Sequence, residues 1–179
     1  MELKDAILNR RSIRRFTSEP LNVDDIKSAI SVAKFYPSWK NTETTRFMLI
    51  SDKGLKTKIS ECVLGFTHNT EIINSANMLI LVLTKKGISG YERDGSPTTS
   101  KGSHFESFDA GLATQNLMLA LHEKGIGSVV LGIYDEEQIK EIVNLDSNIG
   151  ISCLLPIGYP EGEAVAPKRH EDEEFLIIK

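Results

Sequence analysis

The 179 residues are 40% hydrophobic and 26% charged, with 13 glycines, 6 prolines and 2 cysteines. That balance excludes an intrinsically disordered chain and a disulfide scaffold, and predicts one globular domain over residues 1–179. With 21 Lys and Arg against 25 Asp and Glu the net charge is -4, so the whole-molecule field disfavours nucleic acid, although Arg10, Arg11, Arg14 and Arg15 crowd into one short segment.

The first residues are amphipathic and charged, which predicts neither a secretory signal nor a membrane anchor, and the expected compartment is the cytoplasm. Leu3, Ala6 and Ile7 pattern a short first helix that ends in the arginines. Asn22 then offers an N-cap for a second helix, whose apolar stripe is Val23, Ile26, Ala29, Ile30 and Ala33 and whose end is marked by Pro37. Arg46 to Ser51 reads as a strand, followed by a helix near Lys53 to Cys62. Met78 to Thr84 is an unbroken apolar run, the pattern of a strand buried on both faces.

Gly87 to Ser103, with four glycines and Pro97, reads as a long mobile loop or lid. Asp109 to Lys124 is the strongest helical segment, with Asp109 as cap and Gly125 as stop. It is apolar on more than one side, so a second packing partner is expected. Ser128 to Ile133 and Ile151 to Ile157 are further strands, and Asp135 caps a helix to Val143. The chain ends in four acids and then Phe175-Leu176-Ile177-Ile178, an apolar tail that needs a dock. Strands and helices intersperse without strict alternation, which predicts an α+β fold with a mixed central sheet flanked by helices.

Four segments carry candidate chemistry. Arg10-Arg11-Ser12-Ile13-Arg14-Arg15 offers bidentate guanidinium donors and a hydroxyl, suited to a small phosphorylated ligand; a solvated helix end is the alternative. Pro37-Ser38-Trp39-Lys40-Asn41 holds the only Trp among hydrogen-bonding groups, as a ligand loop or an ordinary capped loop. Gly125, Gly127 and Gly132 lack dinucleotide-fingerprint spacing and run from helix to strand, which rejects a Rossmann reading. Lys168-Arg169-His170 follows a Gly and Pro-rich turn. The four histidines and two cysteines have no metal-ligand spacing, so no metal is expected, and His122 reads as a satisfied structural histidine.

The order RRSIRRF, PSWKN, DAGLATQNLMLALHEKGIGSVVLG and LPIGYPEGEAVAPKRH resembles the nitroreductase family over nearly the whole chain. The resemblance implies a homodimer with FMN in a groove shared between subunits. It assigns Arg10, Arg11 and Ser12 to the phosphate and ribityl arm, and Arg14 to the flavin ring, where charge favours the reduced form. Pro37, Ser38, Trp39 and Asn41 correspond to a loop reaching the flavin of the other subunit. Leu131 and Gly132 correspond to the strand end facing flavin N5, and Arg169 to a late phosphate contact.

The expected activity is ping-pong hydride transfer from NAD(P)H through FMN to a nitroaromatic, quinone or similar acceptor, with no side-chain acid or base assigned. The alternatives are same-fold dehalogenation or flavin fragmentation, and a non-catalytic flavin-binding module. Three departures qualify the match. Glu43 stands where the family often has Gln, Lys168 or His170 shares the late basic motif with Arg169, and Asn69 is not carried over because the local alignment slips. The resemblance also implies that the apolar tail, 171–179, docks on the partner subunit.

Overall fold

The computed structural model describes residues 1–179. Its frame is four strands, β1 (Thr45–Ile50), β2 (Met78–Lys85), β3 (Gly127–Ser128) and β4 (Ile149–Gly158), in the order β1-β2-β4-β3. The sheet expected to be mixed pairs antiparallel throughout its four strands. The one parallel pairing is an isolated bridge from Ser12 to Ser128, which fastens the arginine segment to the sheet edge. None of the helical connections returns a strand parallel to its neighbour, so no βαβ unit arises.

Six helices cover the two faces: α1 (Leu3–Asn9), α2 (Val23–Ala33), α3 (Lys53–Ser60), α4 (Thr67–Ser75), α5 (His104–Glu123) and α6 (Glu136–Ile142). Alternation along β2 sorts them. Leu79, Leu81 and Leu83 point into a core with Ile59, Ile72, Ile73 and Ile139 of α3, α4 and α6. Ile80 points the other way, among Ile26, Ala29 and Ala33 of α2 and Leu117 and Leu121 of α5. On β4 this alternation would break between Ile151 and Leu154, which share the first core. A register shift opposite Val82 and Leu83 pairs them with Cys153 and Ile151, so Ser152 is the extra residue that resets the faces.

The expected caps form: Asn22 Oδ1 accepts from Asp24 N at 2.9 Å, and Asp135 Oδ1 from Gln138 N at 3.1 Å. Gly125, at φ 74°, ends α5, with Gly125 N donating to His122 O and Ile126 N to Leu121 O.

Two expectations are corrected here. The strand expected over Ser128 to Ile133 is regular only at Gly127–Ser128, with a single further bridge between Leu131 and Leu154. Pro156 lies between these points on β4, accepts from Val129 N, and has no N–H to return, so the ladder is interrupted. Helix α5 begins at His104, a turn and a half before Asp109, which places Asp109 inside the helix and not at its cap. Helix α4 carries no clean apolar stripe in sequence and was not among the expected elements.

Candidate functional site

The four clustered arginines separate into distinct roles once the chain is folded. Arg15 Nε pairs with Glu161 at 2.9 Å on the surface. Arg14 is exposed, and its Nη1 reaches only the Ser12 carbonyl at 3.4 Å. Arg11 Nη1 donates to the Leu8 and Arg10 carbonyls at 2.6 and 2.9 Å, closing the C-terminal end of α1. Arg10 differs: its Nη1 is buried and has no hydrogen-bond partner in the chain. A buried donor left this way is normally worth about 1–3 kcal/mol of lost stability.

Arg10 and Arg11 line an open groove of about 450 Å³ together with Ile13, Met118, His122, Gly127, Ser128 and the 160–164 segment. Burial, then the charges of Arg11 and Arg169, lowers the pKa of Arg10 from its ordinary value. Arg169 is thus part of the same electrostatic cluster, although it lies far away in sequence. Ser12 adjoins the groove through its bridge to Ser128. Gly127 has a tertiary reason: a Cβ there would sit 2.6 Å from Ile13 Cγ1. His170 Nδ1 turns away to Glu174 Oε2 at 3.2 Å, and Lys168 is exposed with no ion pair.

His122 is corrected from its expected role. It sits half-buried on the last turn of α5, its Nε2 is buried, and that nitrogen has no partner. Burial, then Arg10 and Arg11, lowers its pKa below the usual histidine range. The chain therefore gathers three guanidinium groups and an unpartnered imidazole around one groove, a strongly cationic spot on an acidic protein. These donors fit an anion.

Leu131 is buried against Leu154, and Gly132 beside it is exposed, with open space where a Cβ would stand. Ser128 is level with Ile157 and Leu131 with Leu154, so the two points are separated by about 10 Å along β4.

The Pro37 to Asn41 loop is elsewhere. Thr45, which follows it, pairs with Thr84, and Thr84 with Gly150, whereas Ser128 pairs with Ile157. The offset, six residues along β2 and seven along β4 with the extra Ser152, puts the sheet positions beside the loop and beside the arginines about 20 Å apart at the usual strand rise. Within one chain the two expected halves of the site do not meet.

Several polar groups of this loop are satisfied within it, while Trp39 Nε1 and the Thr42 hydroxyl are buried without a partner. Pro37 is exposed, Ser38 Oγ accepts from Glu43 N at 3.1 Å, and Asn41 Nδ2 donates to Glu43 Oε1 at 3.2 Å. Lys40, Asn41 and Glu43 have φ of 46°, 54° and 49°, an unfavourable conformation for non-glycine residues. What holds them there is tertiary. Asp109, 1% exposed, accepts from Trp39 N at 3.0 Å and from Ser89 Oγ at 2.6 Å. The Trp39 ring lies 4.3 Å from that of Phe105, and Lys40 pairs with Glu92 at 2.9 Å.

The 87–103 loop, expected to be mobile, is therefore tied at several points. Glu92 is held below the usual carboxylate range by the Thr98 hydroxyl and Lys40. Tyr91 and Pro97 also form a bridge across its tip. Asp109 was the residue missed by sequence reasoning. The signal was present in Phe105 and Phe108, which extend the helical pattern upstream and turn Asp109 inward alongside Ala113 and Leu117.

Other chemistry is disfavoured by the local environments. Burial pushes the Cys153 thiol up to about 11 and raises that of Cys62, so neither is a ready thiolate nucleophile. No helix is long and apolar enough to cross a membrane.

Comparison with known proteins shows what the chain as a whole is similar to. An iodotyrosine deiodinase from Thermotoga neapolitana is 28% identical over 190 residues, covering 94% of each chain. An NADH dehydrogenase from Thermus thermophilus is 25% identical over 196 residues, covering 99% of this chain and 96% of its own. Among solved structures, oxidized iodotyrosine deiodinase bound to FMN and 3-iodo-L-tyrosine superposes with a TM-score of 0.77 at 26% identity, covering 99% of this chain and 98% of that one. The model of the Nitroreductase family matches residues 7–70 and 66–159, and the chain belongs to that family.

Proposed function

We propose that the protein is an FMN-dependent oxidoreductase that accepts hydride from NADH or NADPH and passes electrons to a small electron-poor acceptor such as a nitroaromatic or a quinone. The observation that carries the reading is the cationic groove, with a buried, unpartnered Arg10 Nη1 flanked by Arg11 and Arg169. The charge of its lining suits a phosphate monoester. The distance of about 10 Å along the sheet edge from Ser128, at the groove, to Leu131, beside Gly132, suits a five-carbon ribityl arm leading to a ring. The solved deiodinase with FMN bound supports the choice of cofactor.

Bound FMN supplies the redox chemistry, taking two electrons as hydride from a nicotinamide and releasing them to the next acceptor. The protein's own residues then have positioning roles. Arg10, Arg11 and Arg169 neutralise the phosphate, Ser12 adds a neutral donor, and Arg14 brings an exposed positive charge toward the ring. The open backbone at Gly132 presents an amide with no side chain in the way. Proton transfer requires no assigned side chain, since the groove is open to solvent.

Pro37, Ser38, Trp39 and Asn41 serve the site of a second copy of the chain, because they lie too far from the arginines to serve their own. A homodimer is further supported by exposed apolar surface on α1 and α2, including Leu3, Ile7, Val32 and Phe35, and by the tail at Phe175 to Ile178. That tail, with Ile178 at 85% exposure, docks on the partner subunit in this reading.

The test is to load the protein with FMN, remove oxygen and add NADH or NADPH. Loss of the flavin's visible absorbance, and its return on adding a quinone or nitroaromatic, is the expected result. A protein that retains no FMN, or whose bound flavin ignores both nucleotides, contradicts it. The deiodinase relative favours a second reading, reductive removal of halide from an aromatic substrate. Halide released from a halogenated phenol by the reduced protein would distinguish it.

A further inference from the structure

We infer that His122 is a proton-coupled member of the anion groove, taking up a proton from solvent as the phosphate monoester of the cofactor docks beside Arg10. The inference rests on the FMN reading above. It begins from two buried nitrogens that have no partner in the chain, Arg10 Nη1 and His122 Nε2, and from the fact that both residues line the same groove. One is a permanent donor. The other becomes a donor only when protonated or in one tautomer.

The position of the imidazole is fixed by local structure. The His122 carbonyl accepts from Gly125 N at 2.9 Å in the turn that closes α5, which anchors the backbone beneath the ring. The charged groups around it come from each neighbouring element. Arg10 and Arg11 face it from the segment after α1, and Arg169 adds to the same cluster through Arg10. Glu163 lines the groove from the 160–164 segment as an exposed carboxylate, and Glu123 and Lys124 flank it on its own helix.

Without an anion, burial and the two arginines favour the neutral ring, as the direction of its shift states. A phosphate dianion reverses the sign of the local field. It neutralises Arg10 and Arg11 and adds a direct attraction for imidazolium, so the pKa of His122 rises on binding. Between the free and bound values each binding event takes up a fraction of a proton at this site, about half for a one-unit rise, and affinity tightens as pH falls through that window.

The experiment is calorimetric titration of FMN into the protein from pH 5.5 to 8.5, in buffers of different ionisation enthalpy, so that protons taken up are counted directly. FMN's own phosphate, with a second ionisation near pH 6, contributes to wild type and variant alike. The difference between wild type and His122→Gln therefore isolates the imidazole. The expected result is that His122→Gln loses proton uptake and binds FMN about threefold more weakly at the acid end of the range, but as tightly as wild type at pH 8.5; a one-unit pKa rise limits the difference to about tenfold.

Riboflavin, which lacks the phosphate, should bind both proteins equally, showing that the variant is folded. Equal proton counts for wild type and His122→Gln overturn the inference while leaving the cofactor reading intact. Failure of both proteins to bind FMN overturns the cofactor reading, and this inference with it.

Discussion

The two ends of the sheet are built on opposite principles. At the Ser128–Ile157 end, positive groups converge and two buried nitrogens have no partner. At the Thr45–Thr84 end, Trp39 Nε1 and the Thr42, Thr44 and Thr45 hydroxyls also lack partners, but buried Asp109 is matched to two donors, Lys40 is paired with Glu92, and the backbone is strained at Lys40, Asn41 and Glu43, all at positive φ. The first end has unbalanced charge and a relaxed chain. The second has balanced charge and a strained chain. The difference indicates a binding pole, whose stability should rise with an anion, and a preformed wall, whose shape is imposed by tertiary contacts.

The largest expected effect is at the binding pole. Arg10→Ala combined with Ser12→Ala should weaken FMN binding on the order of 100-fold or more, since it removes a charged donor and a neutral one. Fluorescence titration reads this directly, and unchanged affinity would remove the phosphate assignment. The wall should respond in stability before affinity. Asp109→Ala leaves Trp39 N and Ser89 Oγ without their acceptor in a buried site and should cost about 2–4 kcal/mol in urea unfolding. Asp109→Asn, which keeps one acceptor oxygen, should cost clearly less. If the two variants are equally stable, Asp109 does not tie the loops together as its hydrogen bonds indicate.

The smallest effect concerns pH. The pKa of His122 is lowered on folding, so near and below the ordinary histidine value the unfolded chain binds more protons than the folded one. Without FMN, this residue should make stability fall as pH drops through that ordinary value toward the lowered one, and contribute nothing above it. Thermal unfolding across pH 5 to 8 should show a shallower acid-side slope for His122→Gln. An identical slope would mean that neither burial nor the two arginines shifts the imidazole.

Much of the frame was legible because short-range patterns decide it. The unbroken run Met78 to Leu83 has the pattern of a doubly covered strand, and Asn22 and Asp135 advertised their caps. Helix α5 was legible in its middle and misread at its start, because an Asp preceding an apolar stretch looks the same as cap or as buried anchor until Phe105 and Phe108 are included. The edge near Leu131 was legible as apolar but not as irregular, since the interruption comes from Pro156 on another strand.

The candidate site divides in the same way. The motif order identified the family, and the family model confirms it. What the order could not convey is that Arg11 is engaged by α1 carbonyls and Arg15 by Glu161, while Arg169 stands near Arg10. Those are long-range or rotameric facts. The unpartnered state of His122 Nε2 is of the same kind, which is why a histidine on a central helix read as structural.

The central claim is that one chain's arginine groove works with another chain's Trp39 loop. Mixing two inactive variants tests it most directly. Chains carrying Arg10→Ala and Ser12→Ala are unfolded and refolded with chains carrying Trp39→Ala and Asn41→Ala, and NADH-driven quinone reduction is measured. If sites are shared, each mixed dimer has one intact site, and activity should return to about a quarter of wild type at equal amounts. Activity no greater than the mean of the two variants alone would contradict the claim and return both halves of the site to a single chain.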